Sequence, residues 1–369
     1  MKILELTNYS KGICGVWERV KQESQMLDKK GHNIVVMSSN AVKGEISSLE
    51  DEIGKIRIMR FPFKKLGGES FMYWFNKNAF DEALNFKPDI VIANSYRHLH
   101  TTSALKLKQI LGCKVFLVTH APFDRQRGLL NNLIVKFYDI FIGKRTLNKF
   151  DRVIAITRWE MPYLLKLGAK KSEISYIPNG LPKEFFTLKK CKEKNNILFL
   201  GRISPIKNVE ILIKAFSKIE DKKAILEIVG PAEIKYKEKL EELVNSLALN
   251  NRVIFLPPIY NLKEKIEKID SARIFVLPSK SEGMPQSLIE AMARGKIVVA
   301  SDNKGSLDII EDGKNGYLFK NNDVADLTSK LNFIINGKKG NNSKIKKNSE
   351  QYAKKLSLDN LIMDLEDLF

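Results

Sequence analysis

Two acids and two bases stand out by their positions. Glu282 and Glu290 lie eight residues apart in "VLPSKSEGMPQSLIEAMARGKIVVAS", residues 276–301. A strand-like run, "IFVLPS", leads in, and "KIVVAS" leads out. Pro285 suits the first position of a helix, and Gly295 suits its end. Glu282 then falls in the loop before the helix. Glu290 falls on it, about 7.5 Å beyond Pro285 at ~1.5 Å per residue. Arg202 and Lys207 share the loop "GRISPIKNVE", residues 201–210, between a strand and a helix. Cations are disfavoured at a helix start unless an anion sits between them. A diphosphate gripped by an arginine fork and a lysine point charge would supply that anion. A nucleotide ligand could then lie with its sugar near one acid and its ribose near the other. A third loop, "NYSKGICGVWER", carries Gly12 and Gly15 before a helix, where backbone N–H groups can meet an anion. Its spacing is not the dinucleotide fingerprint G-x-G-x-x-G. Taken singly, each feature has a structural explanation: a turn glycine, solvated cations, a dipole-favoured acid, a surface helix residue.

The elements that must hold these loops alternate. "KILELT", "HNIVVMSS", "PDIVIANS", "CKVFLVTH" and "DRVIAIT" read as strands in the first half. "NNILFLG", "KAILEIVG", "RVIFLPP", "ARIFVLPS" and "KIVVAS" do so in the second. Their apolar runs are continuous, as expected of parallel strands buried on both faces. Helical patterns such as "GVWERVKQESQMLDKKG" and "NVEILIKAFSKI" separate them. This rhythm predicts a doubly wound sheet in each half. In such sheets ligands bind beyond the carboxyl ends of the strands, where all three loops lie.

A chain of 369 residues is long enough for two domains. The segment 179–196, "NGLPKEFFTLKKCKEKNN", reads as the linker, and "GKKGNNSKIKKNS", 337–349, as a second polar break. The expected division is 1–182, 183–349 and a terminal helix at 350–369. Cys14, Cys113 and Cys191 form neither a metal-ligand spacing nor a disulfide framework, which fits a reducing cytoplasm. No run of 18 apolar residues and no signal-peptide pattern is found. The net charge is +19, and residues 1–182 hold 29 Lys/Arg against 17 Asp/Glu. Such an excess implies an anionic partner: nucleic acid, anionic lipid or a phosphorylated small molecule.

Taken together, the loops resemble a known family. "SEGMPQSLIEAMARGKIVVAS" is similar to the E-x7-E signature of retaining glycosyltransferase family 4, with Lys296-Ile297 replacing the family's common Lys-Pro. "GRISPIKN" resembles its G-R-x-x-x-x-K-G, with Asn208 where glycine is usual. "IPNGL", 177–181, and "DIIEDGKNGYLF", 308–319, resemble two further family segments, the second with Asp308 for the usual Glu. "TH", 119–120, resembles the segment with the active-site histidine. The first loop, "KGICG", departs from the family's Gly-Gly start. The likeness spans the whole chain in order.

The resemblance implies a GT-B fold, two Rossmann-like domains facing a central cleft, with the last helix crossing back to the first domain. It implies that Arg202 and Lys207 hold the diphosphate of a UDP- or GDP-sugar and that Glu290 accepts hydrogen bonds from the ribose. Glu282 would contact the donor sugar, as would His120. Backbone amides of Gly283, Met284 and Gln286 would line the sugar and phosphates, and Gly15 would let its backbone approach the phosphate. Closure about 179–196 would bring the acceptor to the donor. No cofactor or metal is expected, because the cations and a helix N-terminus already meet the leaving group's charge, and no Asp-x-Asp occurs. Retention of anomeric configuration is expected through a front-face step.

Acceptors in such enzymes bind the first domain. Two stretches there are unusual: "FPFKKLGGESFMYWF", 61–75, and "RGLLNNLIVKFYDIFIGKRTLNKF", 127–150. The second puts Leu130, Ile134, Phe137 and Phe141 at helical spacing, with Lys136, Lys144, Arg145 and Lys149 nearby. It reads either as a helix facing the core or as an interfacial helix meeting anionic lipid. The expected acceptor is a growing glycan or, on the second reading, a lipid-linked one; the expected place is the cytoplasm, on that reading at the cytoplasmic face of a membrane. The alternatives are a GT-B epimerase or hydrolase, whose motifs differ from E-x7-E, and a basic nucleic-acid-binding protein. Against the latter, the basic residues are spread widely and no RRM, KH or zinc pattern appears, so no nucleic-acid partner is expected.

Overall fold

The computed structural model describes residues 1–12, 14–42, 45–65, 71–124, 129–337 and 339–369. Parts of the stretches 61–75, 127–150 and 337–349, and the side chain of Leu130, therefore lie outside the described residues. The chain divides into two compact units. One is Met1–Gly180 with Leu358–Phe369, and the other is Leu181–Ser357.

In chain order the first unit's strands are β1 (Lys2–Leu6), β2 (Asn33–Ser39), β3 (Ala41–Val42), β4 (Glu45–Ile46), β5 (Glu50–Ile53) and β6 (Ile56–Phe61). They continue with β7 (Lys64–Lys65), β8 (Met72–Tyr73), β9 (Ile90–Asn94), β10 (Lys114–Val118), β11 (Arg152–Ala155) and β12 (Ile174–Tyr176). Eight of them form one sheet in the order β12-β11-β10-β9-β1-β2-β6-β5. All neighbours are parallel except the edge pair β5–β6. The second unit holds β13 (Asn196–Leu200), β14 (Ile225–Val229), β15 (Val253–Leu256), β16 (Ile274–Leu277), β17 (Ile297–Ser301) and β18 (Tyr317–Phe319). They form a parallel sheet in the order β15-β14-β13-β16-β17-β18.

Both orders follow from the sequence. Central strands such as "ILFL" and "IFVL" are buried at every position, so helices must cover both faces. Right-handed crossovers then force the chain to start mid-sheet and reverse once. The reversal falls between β1 and β9 in the first unit and between β13 and β16 in the second. At such a switch point neighbouring loops part and leave a crevice.

Three expectations change. Residues 181–196 are packed onto the second unit. Phe185, on the short helix Glu184–Thr187, is buried in its core, and the Lys194 amide donates to the Ser271 carbonyl at 2.9 Å. The polar stretch 337–349 lies mostly within a helix, Lys339–Lys354. Its composition disfavours a helix, but Ile345, Ser349 and Ala353, four residues apart, are buried, and the Ser349 hydroxyl donates to the Met292 carbonyl at 3.3 Å. Tertiary burial outweighs propensity here. The terminal helix begins later than 350, at Leu358, and runs to Glu366. It packs in the first unit, where Glu366 pairs with Lys30 and with His32 Nε2 at 2.9 Å.

Candidate active site

The second unit's switch point brings the loop after β13 beside the loop after β16. The Lys280 amide donates to the Ile206 carbonyl at 2.8 Å, tying one loop to the other. Lys207 Nζ lies 2.5 Å from Glu282 Oε1, with both side chains largely sheltered. Lys207 ends a single turn, Pro205–Lys207, and Asn208 follows in the left-handed region at φ 53°. That backbone conformation explains why glycine is common at the position and why asparagine, which tolerates it, serves. Arg202 is exposed and, among the described residues, forms no ion pair.

The Glu282 loop is built from below. The Ser279 carbonyl accepts from the Ser301 hydroxyl and from Asn303 Nδ2 at 3.0 Å. Asn321 Nδ2 donates to the Lys280 carbonyl at 2.8 Å. Gly305 packs against the loop so closely that an added Cβ would lie 2.5 Å from the Gly283 carbonyl and 2.7 Å from that of Glu282. Gly283, Met284 and Pro285 then lead into the helix Gln286–Ala293, which ends at Gly295 with φ 64°. The N-terminus of that helix follows directly on the Glu282 loop. Glu290 is 4% exposed rather than a surface residue, and Lys265 forms an ion pair with its Oε1. Arg202, Lys207, Glu282, Gly283, Met284, Gln286 and Glu290 thus lie on two connected loops and the helix that follows.

The first unit carries His120 and Gly15. His120 and Ala121 both sit in the left-handed region, at φ 59° and 50°. Buried Glu160 pins the turn: its Oε1 accepts from the Ala121 amide at 2.9 Å, and its Oε2 from the Thr157 amide at 3.0 Å. Burial raises the Glu160 carboxyl's pKa, and hydrogen bonds from Thr119 and Thr157 act against this. His120 Nε2 is 2.9 Å from Asn94 Oδ1, and Asn94 Nδ2 donates to Glu5 Oε2 at 2.8 Å. His100 Nε2 is 2.8 Å from the Asn94 carbonyl, and burial lowers that imidazole to about 3, so it is neutral. Gly15 opens the helix Gly15–Lys29, and a Cβ there would meet nothing within 4 Å. No described residue requires glycine at 15.

Burial, with Glu23 nearby, raises the Glu5 carboxyl well above its ordinary 4.5. The folded protein therefore keeps a proton that the unfolded chain releases. Stability from this group is full below 4.5 and is lost as pH rises through the folded value. Glu5→Gln has no proton to lose. It is expected to match the parent in Tm near about pH 4 and to exceed it near about pH 8. Parallel Tm-against-pH curves for the two proteins would refute this.

Sequence reading missed Lys265, Asn94, Glu160, Glu5 and Gly305. Each acts across the fold on a residue distant in the chain. Only Gly305, in "DNKGSLD" between a strand and a short helix, left a local trace.

Two doubly wound units with open switch points define the GT-B class. Over the whole of this chain the fold matches Anabaena HepE, solved with UDP and glucose, at a TM-score of 0.77 and 18% identity, covering 98% of that chain. It matches the sucrose-phosphate synthase of Thermosynechococcus elongatus at 0.78 and 19%, again covering 98% of that chain. By sequence, residues 13–185 match the family model Glycosyltransferase Family 4, and residues 182–355 match Glycosyl transferases group 1. Fold and family models together put the chain among the GT-B glycosyltransferases. An uncharacterised glycosyltransferase of Methanocaldococcus jannaschii is 30% identical over 58% of this chain and 57% of its own. A D-inositol 3-phosphate glycosyltransferase of a Mycobacterium species is 28% identical over 52% of this chain and 46% of its own. The chain spans about half the length of the curated relatives it matches.

Proposed function

We propose that this protein is a retaining, metal-independent glycosyltransferase. It moves a sugar from a UDP- or GDP-sugar to a growing glycan or a lipid-linked acceptor. One observation carries the reading: Lys207 pairs with Glu282 at the switch point, on loops that also carry Arg202 and lead into the helix of Glu290. Arg202 and Lys207 hold the diphosphate, Glu290 the ribose and Glu282 the donor sugar. Amides of Gly283, Met284 and Gln286 line the sugar and phosphates.

The leaving group is the nucleoside diphosphate. Its charge grows as the bond to the sugar breaks. Once the donor is bound and Lys207 has exchanged Glu282 for the diphosphate, Arg202, Lys207 and the N-terminus of the helix at Gln286 meet that charge, so they stabilise the transition state without further reorganisation. That arrangement does the work a divalent metal would do. Glu282, engaged with sugar hydroxyls, is not free to act as a double-displacement nucleophile, which favours a front-face step with retention. His120 and Gly15 keep the roles the family resemblance gives them, at the sugar and the phosphate. The structure of HepE with UDP and glucose supports a nucleotide-linked donor. Nucleic acid has no part in this reading, and the enzyme acts from the cytoplasm, at the inner face of the membrane when its acceptor is a lipid.

A thermal-shift panel of UDP-, GDP- and ADP-sugars tests the reading. At ~100 times its dissociation constant, the true donor adds about 2.7 kcal/mol of stability. Absence of a shift with every nucleotide and nucleotide-sugar would overturn it.

A further inference from the structure

The helix Leu129–Tyr138, continued by a wider turn over Asp139–Gly143, turns its apolar side outward. Leu133 is 65% exposed, Phe137 61% and Phe141 46%, and Ile134, Ile140 and Ile142 are exposed beside them. This inverts the usual amphipathic arrangement, in which the apolar stripe faces the core. Contiguous apolar exposure of this kind marks an interaction site.

The helix is not free to roll the other way. Tyr138 and Gly143 are buried against the unit. Asp139 accepts from Arg97 at 2.9 and 2.7 Å and from the Tyr96 hydroxyl at 3.0 Å. A Cβ on Gly143 would lie 2.1 Å from the Tyr96 hydroxyl. These contacts fix which side faces out.

The charges around the patch select its occupant. Lys136, Lys144, Arg145 and Lys149 are all exposed and, among the described residues, in no ion pair. From Leu129 to Lys149 the one acid is Asp139, which Arg97 already neutralises. Apolar side chains ringed by unpaired cations fit a lipid surface with anionic headgroups, where the rings enter the headgroup boundary and the cations meet phosphate. A protein partner would more often supply acids to particular cations in a fixed register. No helix among the described residues is long and apolar enough to cross a membrane. At ten residues, the helix Leu129–Tyr138 is of a length that suits the surface of a bilayer and not its span. We infer that the face formed by Leu133, Ile134, Phe137, Ile140 and Phe141, with its flanking lysines and arginine, docks this protein onto an anionic membrane surface. The inference concerns binding alone and stands whether or not the donor assignment holds.

Vesicle sedimentation of the full chain tests it. The probes are phosphatidylcholine vesicles with and without about one quarter phosphatidylglycerol, at about 0.1 M and about 0.5 M salt. The protein is expected to pellet with the anionic vesicles, to pellet several-fold less at high salt, and to stay in solution with the neutral ones. Phe137→Ser with Phe141→Ser is expected to lower the bound fraction at least about tenfold at unchanged Tm, because both rings are already exposed in the fold. Lys144→Gln with Arg145→Gln should lower it several-fold and remove most of the salt dependence. A parent protein left in the supernatant, or equal binding to neutral vesicles, overturns the inference. So does undiminished binding by both variants. If the double phenylalanine variant instead turns a dimer into a monomer in light scattering, and vesicles bind neither form, the face belongs to a second copy and the lipid assignment is wrong.

Discussion

Replacing Glu282 with glutamine is expected to tighten the binding of a free nucleoside diphosphate about tenfold while cutting sugar transfer by about a hundredfold or more. The two effects have opposite signs because Glu282 has two partners. In the structure its carboxylate holds Lys207 Nζ at 2.5 Å, with side chains 11% and 19% exposed. A charge-assisted bond in that shelter is worth more than a surface pair, which contributes about 0–1 kcal/mol. In the proposed complex Lys207 must leave Glu282 for the diphosphate. A bound nucleotide-sugar would compensate Glu282 with sugar hydroxyls. A bare diphosphate would leave it a sheltered carboxylate without its cation, which is unfavourable. Glutamine removes that penalty and also removes the grip on the sugar. Titration calorimetry with UDP and GDP, alongside donor turnover, reads both effects. Weaker diphosphate binding by the variant would mean that Lys207 and Glu282 do not exchange partners. Lys207→Met should lose diphosphate and donor affinity alike.

The largest stability effect is expected at Arg294, where Ala should cost about 3–5 kcal/mol. Arg294 lies at the end of the helix that carries Glu290 and is buried. Its guanidinium grips the Asp270 carboxylate through two bonds, 2.8 and 2.7 Å, and donates to the carbonyls of Phe185 and Leu188. Asp270 is fully buried. Alanine would strand that charge and two carbonyls in the interior. Asp270→Asn in the Arg294→Ala background should recover part of the loss, since it neutralises the orphan. Urea unfolding of the single and double variants gives the coupling. A strictly additive cycle would show that the pair is not the source of the cost.

Much of this was legible in the sequence, for identifiable reasons. Continuous apolar runs gave the strands, because burial on both faces leaves no alternation. Pro285 and Gly295 bracketed the helix between Glu282 and Glu290 because each constrains the backbone locally. Arg202 and Lys207 were conspicuous because a helix start disfavours cations. Lys265 on Glu290, Asn94 on His120 and Glu160 beneath Ala121 were not legible. Each joins residues far apart in the chain, and nothing local distinguishes these side chains from other lysines, asparagines or glutamates. The helix Lys339–Lys354 hid behind glycine, asparagine and lysine, since its stability comes from packing. The residues 127–150 left two readings open, because helical spacing reports a face but not what lies against it.

The packing of Leu358–Phe369 onto the first unit sets an order of events during synthesis. Beyond the Glu366 pairs, the Phe369 ring lies 5.7 Å from that of His32, and Leu358 fits against Gly180 where a Cβ would lie 2.9 Å from the Leu358 Cα. On the ribosome residues 1–180 emerge first, yet they lack this piece until all of 181–357 has been made. The unit translated first is completed last. A nascent chain paused before 358 would carry a finished second unit and an unfinished first one, a window in which chaperones or proteases could reach the surface that the terminal helix later covers.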